Sequence, residues 1–134
     1  MNTTEKFILK TRYKKLLADT ITPVSIYLQV RDRFPNPILL ESSDYHGQEN
    51  SLSYICCQPM ATFLAEKGHL DLQFPDGSTE TKKIDAGLNL VEELSGFMSQ
   101  FKTEPTAHKF INNGLFGFMS YEAVQHFEDI ALRD

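Results

Sequence analysis

The chain has 134 residues, of which 41% are hydrophobic, and this fits one domain with a core of ordinary size. Thirteen Lys and Arg residues against eighteen Asp and Glu residues leave a formal net charge of −5, which argues against the broad basic surface of a nucleic-acid-binding protein. No apolar run approaches the ~18 residues of a membrane span, and residues 1–6 lack the pattern of a signal peptide. We therefore expect a cytoplasmic protein with no nucleic-acid partner and no membrane partner.

The cysteines and histidines indicate neither a disulfide framework nor a metal site. The two cysteines are the neighbours Cys56 and Cys57, whose thiols would point to opposite faces of a strand. We expect one thiol to be packed inside and the other to be half-exposed, with neither acting as a nucleophile. The four histidines match no zinc or iron ligand spacing, so we expect no metal in this chain.

The first predicted elements are a strand and a helix. Residues 7–17 mix apolar and basic side chains without a clear period, and we interpret them as a strand. Thr22 followed by Pro23 is typical of a helix start, since Thr can accept a bond from the first turn and Pro lacks a donor that the first turn leaves unpaired. Apolar residues at helical spacing continue to Phe34, where the sequence Pro-Asn-Pro would end the helix.

Short strands joined by turns fill the middle of the chain. Two apolar runs, 38–42 and 52–58, predict strands on either side of a polar loop at 43–51. Gly68 separates two further runs like a hairpin, and residues 75–78 (PDGS) predict a turn. The strands predicted around these turns are 62–67, 69–74 and 79–84.

The last third of the chain predicts an amphipathic helix at 89–101, with Asn89 and Glu92 as a capping pair. A polar connection at 102–113 follows, then an apolar run at 115–119 that we interpret as a crowded strand, and a short helix at 121–130. Gly114 and Gly117 would allow close backbone packing there, and Phe116, Phe118 and Tyr121 are predicted to be core residues. Five or six short antiparallel strands and three helices, without regular alternation, predict an α+β fold.

The residue types and spacings contain no strong catalytic signature. There is no glycine-rich phosphate loop, no GxSxG sequence and no HExxH sequence. Adjacent acids at 92–93 and 128–129 are interpreted as solvated helix faces. Taken alone, these patterns indicate only an α+β domain.

Four segments, however, resemble the large subunit of anthranilate synthase. Residues 22–28 (TPVSIYL) and 38–42 (ILLES) are similar to the opening of that family. Residues 59–63 (PMATF) resemble its Pro-x-Ala-Thr segment, and residues 114–124 (GLFGFMSYEAV) resemble its glycine-aromatic block with a Tyr-Glu pair. The matches occur in the family's order and extend over most of the chain.

The resemblance implies an enzyme that converts chorismate to anthranilate with ammonia from a glutamine amidotransferase, component II, and that L-tryptophan inhibits. In that family the chorismate site, the Mg²⁺ ligands and the catalytic residues belong to a C-terminal chorismate-binding domain, of which this sequence contains nothing. We therefore expect residues 1–134 to be a truncated N-terminal regulatory domain that is inactive alone. Its partners would be its own C-terminal domain and component II.

The resemblance also implies which residues carry regulation. The Leu-Leu-Glu-Ser segment lines the family's tryptophan pocket, which maps onto Leu40, Glu41 and Ser42. Tyr121 and Glu122 are candidates for the interface with the C-terminal domain. One departure is that family members commonly carry a basic residue about ten positions after the serine, where this chain has Leu52.

The sequence is also compatible with two other functions. The large subunit of aminodeoxychorismate synthase, which makes the para-amino precursor of folate, shares the same kinds of segment. A stand-alone amino-acid-binding domain would carry the pocket without a catalytic continuation. The residues that would choose between ortho and para amination lie in the domain that this sequence lacks.

Overall fold

A computed structural model of the protein describes residues 6–42, 52–105 and 113–128. The described chain contains seven short strands, two α-helices and a 3₁₀ helix, which confirms the predicted α+β class. In chain order the elements are β1 Phe7–Leu9, α1 Pro23–Arg31, β2 Ile38–Glu41, β3 Ser53–Cys56, β4 Thr62–Glu66, β5 His69–Gln73, β6 Thr79–Lys83, α2 Leu90–Ser99, β7 Phe101–Thr103 and the 3₁₀ helix Tyr121–His126.

These elements group into two compact units. One unit is Tyr13–Pro59, with α1 and the antiparallel pair β2–β3. The other combines Met1–Arg12 with Met60–Asp134 and holds the parallel pair β1–β7, the antiparallel sheet β4–β5–β6, α2 and the 3₁₀ helix. We call them the β2–β3 unit and the meander unit.

The first helix or strand of the β2–β3 unit is α1, which begins at the predicted residue. The Thr22 hydroxyl accepts a hydrogen bond from the Ser25 N–H at 3.1 Å, and the Ser25 hydroxyl accepts one from the Thr22 N–H at 3.1 Å. This reciprocal capping box and Pro23 in the first turn fix the N-terminus of α1. The helix ends at Arg31 rather than at the predicted Phe34, and the Arg33 N–H bonds the Val30 carbonyl at 3.0 Å in a tight turn before Pro35.

The strands β2 and β3 confirm the two runs predicted at 38–42 and 52–58, with shorter ends. Ile38 pairs with Cys56, and the register continues to Glu41 opposite Ser53. Past β3, Gln58 adopts a φ of 52° and donates its N–H to the Pro35 carbonyl at 2.9 Å, which ends the strand. The predicted loop at 43–51 lies outside the described residues.

The meander unit contains the predicted hairpins. Lys67 and Gly68 both have positive φ, 50° and 76°, and form the two-residue turn between β4 and β5. The β5–β6 turn has Gly77 at a φ of 82°. On β5, Leu70 and Leu72 alternate with polar residues and face the core, which also contains Phe74, Leu90 and Phe97.

Helix α2 covers this core. The Asn89 side chain accepts hydrogen bonds from the N–H groups of Val91 and Glu92, at 3.1 and 3.3 Å, which confirms Asn89 as the cap. The helix ends at Ser99, two residues before the predicted end at Phe101. Lys82 of β6 reaches the Glu93 carboxylate of α2 at 2.6 Å and links the sheet to the helix.

Strand β7 was not predicted. It begins at Phe101, the last residue of the predicted helix, and continues into the segment expected to be a polar connection. It pairs in parallel with β1, with Phe7 opposite Phe101. The two rings stack with centroids 5.4 Å apart. The strand predicted at 7–17 was too long, because β1 pairs with only the three residues of β7 and ends at Leu9.

The glycine-aromatic block departs most from its prediction. Residues 115–120 form no strand, and Phe118 is 92% exposed and Tyr121 82% exposed, so neither is a core residue. Phe116 is half-buried. A Cβ at Gly117 would meet no atom within 4 Å, so close backbone packing does not explain this glycine. The short helix expected at 121–130 is the 3₁₀ helix, which ends at His126.

One charged contact at the β5–β6 turn should give stability a pH dependence. Hydrogen bonds from Ser78, followed by the contact with the Lys6 ammonium at 2.9 Å, hold the pKa of the Asp76 carboxyl far below its usual value. A lowered folded-state pKa adds stability above the unfolded pKa, about 3.9, and that stability is lost as the pH falls below it.

We therefore expect Asp76→Asn to unfold at lower urea than the unchanged protein at pH 7, with the gap narrowing progressively below about pH 4. Urea titrations at several pH values measure this gap. Glu104→Gln, an exposed carboxylate after β7, is the control. A gap that stays constant from pH 7 to acid would rule out the ionised Asp76 as its source.

Candidate functional site

The predicted tryptophan-site residues lie at the end of β2. Leu40 is half-buried and pairs with Tyr54 of β3, while Glu41 is exposed and pairs with Ser53. Ser42 is exposed and is the first residue after the strand. The structure thus brings the end of β2 next to the beginning of β3.

The register assigns these side chains to two faces. Successive residues of a strand point to opposite sides, and directly paired residues share a side. Leu40 and Tyr54 therefore occupy one face of the β2–β3 pair, and Glu41 and Ser53 occupy the other. A ligand lying on one face meets the side chain of Leu40 or that of Glu41, not both.

The polar groups available at this strand end are a hydroxyl, backbone groups and one carboxylate. No Lys or Arg occurs between Arg33 and Lys67 in the sequence. Arg33 precedes the start of β2, whereas Ser42 follows its end. Among the described residues no cation forms an ion pair with Glu41. A ligand carboxylate here would depend on N–H groups and the Ser42 hydroxyl.

Leu52, the residue singled out as a departure from the family pattern, directly precedes β3. It is 50% exposed. Continuing the β2–β3 register by one pair beyond Glu41 and Ser53 would set Ser42 opposite Leu52. In that continuation, an apolar side chain rather than a basic one would lie beside the serine of the predicted pocket.

The predicted interdomain residues lie in the meander unit, at the start of the 3₁₀ helix. Tyr121 and Glu122 are both exposed. Hydrogen bonds from its own backbone N–H and from the Ser120 hydroxyl lower the pKa of the Glu122 carboxyl, which is therefore ionised at neutral pH. An exposed aromatic ring beside a carboxylate is compatible with a contact surface, and the interface itself stays a prediction.

One concave region of the meander unit was not predicted from the sequence. The loop 84–90 between β6 and α2, with Gln125 and His126 of the 3₁₀ helix, lines an open depression of about 570 Å³. Asp85 accepts a hydrogen bond from the Gly87 N–H at 2.9 Å, which fixes the loop. The Asp-Ala-Gly turn was recognisable in the sequence, but its approach to residues some 40 positions later was not.

The cysteines offer little chemistry. Cys56 and Cys57 are both free and both half-buried, so the expected division into a packed and a half-exposed thiol is wrong. Burial, with a smaller effect of Cys57, raises the pKa of the Cys56 thiol, which keeps it protonated at neutral pH.

Neither a metal centre nor a membrane span is found in the described parts of the chain. No group of three or more His, Cys, Asp or Glu side chains converges there. None of the described helices is long and apolar enough to cross a membrane.

Comparison with known proteins gives a consistent set of relatives. No family model and no solved structure matches the chain. Anthranilate synthase component 1 of Neisseria gonorrhoeae is 33% identical over 123 residues, which cover 90% of this chain and 24% of that protein. The same component of Acinetobacter calcoaceticus is 29% identical over 124 residues, covering 87% of this chain and 23% of that protein.

A third relative carries the same description. Component 1 of Arthrobacter globiformis is 29% identical over 119 residues, covering 87% of this chain and 21% of that protein. The chain thus spans about a quarter of the length of the curated relatives it matches. These matches confirm the resemblance, and the chain is related in sequence to the anthranilate synthase component 1 family.

Proposed function

We propose that this chain is the N-terminal regulatory part of an anthranilate synthase component 1, and that it binds L-tryptophan at the end of β2. The observation that carries the proposal is the similarity to component 1 proteins along 87–90% of the chain. The matched stretch is long enough to include the strand end with Leu40, Glu41 and Ser42.

In this proposal the complete protein forms anthranilate from chorismate and ammonia. Its C-terminal domain supplies the chorismate site and the Mg²⁺ ligands, and component II supplies ammonia from glutamine. Because the chorismate site lies in that domain, the proposal assigns no turnover to the 134 residues alone. Their role is to bind tryptophan and to bias the complete enzyme toward a less active state, a coupling that acts reciprocally on both ligands.

The geometry at β2 supports an amino-acid site in three ways. The strand end leaves backbone N–H and C=O groups for an ammonium and a carboxylate, and Ser42 adds a hydroxyl. Leu40 offers apolar surface for an indole ring. The segment around the strand lacks Lys and Arg. The Ser42 hydroxyl would therefore contribute more to holding the ligand's carboxylate than it would in a family member with a basic residue at the position of Leu52.

The proposal predicts the behaviour of a Ser42→Phe variant of the complete natural protein. Anthranilate formation from chorismate, Mg²⁺ and ammonia should persist, whereas the tryptophan concentration for half-inhibition should rise about tenfold or more, because a charge-assisted hydrogen bond is lost and the pocket is filled. Anthranilate fluorescence measures both quantities. Ser53→Phe, the same change at the start of β3, on the face that Ser53 shares with Glu41, is the matched control.

The same assay on the unchanged protein distinguishes the proposal from its alternatives. Inhibition by tryptophan that is equal in the Ser42→Phe and unchanged proteins would remove Ser42 from the site. Formation of the para-amino isomer would assign the protein to the aminodeoxychorismate branch. A natural protein without chorismate turnover that still binds tryptophan would be a stand-alone amino-acid-binding domain.

A further inference from the structure

We propose that Tyr54 is a ligand-contacting residue of the tryptophan site, on the same face as Leu40, and that the Glu41 side chain lies outside that site. The inference rests on the proposed tryptophan site and assigns its side-chain contacts. The resemblance implies that Leu40, Glu41 and Ser42 all line the pocket. The inference instead assigns ligand contacts to the side chains of Leu40 and Ser42 and none to that of Glu41.

The register carries the first half of this inference. Leu40 and Tyr54 are directly paired on neighbouring antiparallel strands, so their Cβ atoms are about 4.5–5.5 Å apart. Both side chains are half-buried and keep part of their surface exposed. An indole ring resting on Leu40 therefore also touches the Tyr54 ring, and an aromatic pair adds attraction beyond apolar burial.

The residues just beyond the paired strands would extend this face toward the strand end. The register ends at Glu41 opposite Ser53, and one further step along each strand would place Ser42 and Leu52 on the face of Leu40 and Tyr54. Both are exposed. The ring of the ligand would thus lie on Leu40 and Tyr54, and its polar end would lie near Ser42, with Leu52 as an apolar wall.

The second half of the inference concerns Glu41. Its side chain shares the other face with Ser53, and within the described residues it has no ion-pair partner. An exposed carboxylate in this position is hydrated both with and without ligand. Its neutralisation should leave the affinity for tryptophan unchanged, apart from a long-range electrostatic effect that salt screens.

Tryptophan fluorescence provides a direct test on the 134-residue chain, since the chain contains no tryptophan residue and the ligand is observed without background. We expect Tyr54→Ala to weaken tryptophan binding about tenfold through the lost aromatic contact. Glu41→Gln should bind tryptophan with a dissociation constant within about twofold of that of the unchanged chain at physiological salt. The same is expected of the control Ser53→Ala, at the residue paired with Glu41. Far-UV circular dichroism checks that each variant is folded.

Leu52→Ala keeps the test decisive if Tyr54→Ala does not fold. Leu52 is half-exposed and outside the strands, so its truncation spares the fold and should weaken binding about threefold by removing apolar contact area. Binding that is unchanged in the Tyr54 and Leu52 variants but lost in Glu41→Gln would overturn this inference and leave the proposed tryptophan site standing. An unchanged chain that binds no tryptophan would overturn both.

Discussion

Replacing Phe97 by alanine should lower the free energy of unfolding by about 3–5 kcal/mol. Phe97 projects from α2 and is 2% exposed. Its ring contacts those of Phe63, Phe74 and Phe101, with centroids 5.7, 5.4 and 5.3 Å away. Truncation removes apolar burial, three aromatic pairs and the contacts around the resulting cavity, so the whole meander unit should lose stability.

Phe118→Ala is the matched control for this change. Phe118 is 92% exposed, so the same truncation should change the free energy of unfolding by no more than about 0.5 kcal/mol. Urea titrations followed by far-UV circular dichroism measure both variants. Equal losses for the two phenylalanines would contradict the assignment of the core to the face of α2 that carries Phe97.

Two Gly→Ala changes in the meander unit should have opposite signs. Gly77 occupies the β5–β6 turn with a φ of 82°, where a Cβ costs about 1–2 kcal/mol. Gly96 lies inside α2, where alanine is favoured by about 1 kcal/mol. A Cβ at either position would meet no atom within 4 Å, so only the backbone conformation separates the two cases.

Thermal unfolding measured for Gly77→Ala, Gly96→Ala and the double variant checks this pair. We expect a lower midpoint for the first, a higher midpoint for the second and near-additivity in the double variant, because the sites share no contact partner. A destabilised Gly96→Ala would mean that α2 tolerates no added methyl at that position, contrary to the open space around it.

The elements that sequence predicted well are those set by neighbouring residues. Thr22 with Pro23 and Asn89 define helix starts through hydrogen bonds within one turn. Lys67 and Gly68 define a hairpin through their own dihedral angles. Strand β7, in contrast, exists because Phe101 meets Phe7 more than 90 residues earlier, and no local pattern reports such a partner.

The prediction of a strand at 115–119 was wrong for a related reason. Its composition is typical of a buried strand, but burial requires a sheet or helix to pack against, and Phe118 has none among the described residues. Hydrophobicity by itself does not distinguish a core strand from an exposed apolar segment. Exposed side chains such as Phe118 and Tyr121 are also what a contact surface would present.

For the candidate site, sequence located the segment and the structure supplied its geometry. The resemblance identified Leu40, Glu41 and Ser42, because a motif is read along the chain. It could not reveal that Tyr54 stands beside Leu40, since this follows from the pairing of β2 with β3.

The distribution of buried side chains has a consequence for how a ligand would act. Among the described residues, all five buried hydrophobic side chains belong to the meander unit, and the β2–β3 unit contains none. Local opening is easiest where little apolar surface is sealed from water, so we expect α1, β2 and β3 to open transiently at a lower cost than the core elements β5 and α2. A molecule that binds only the closed form of that unit shifts this equilibrium by mass action, and it can thereby act as a regulator by ordering its own site.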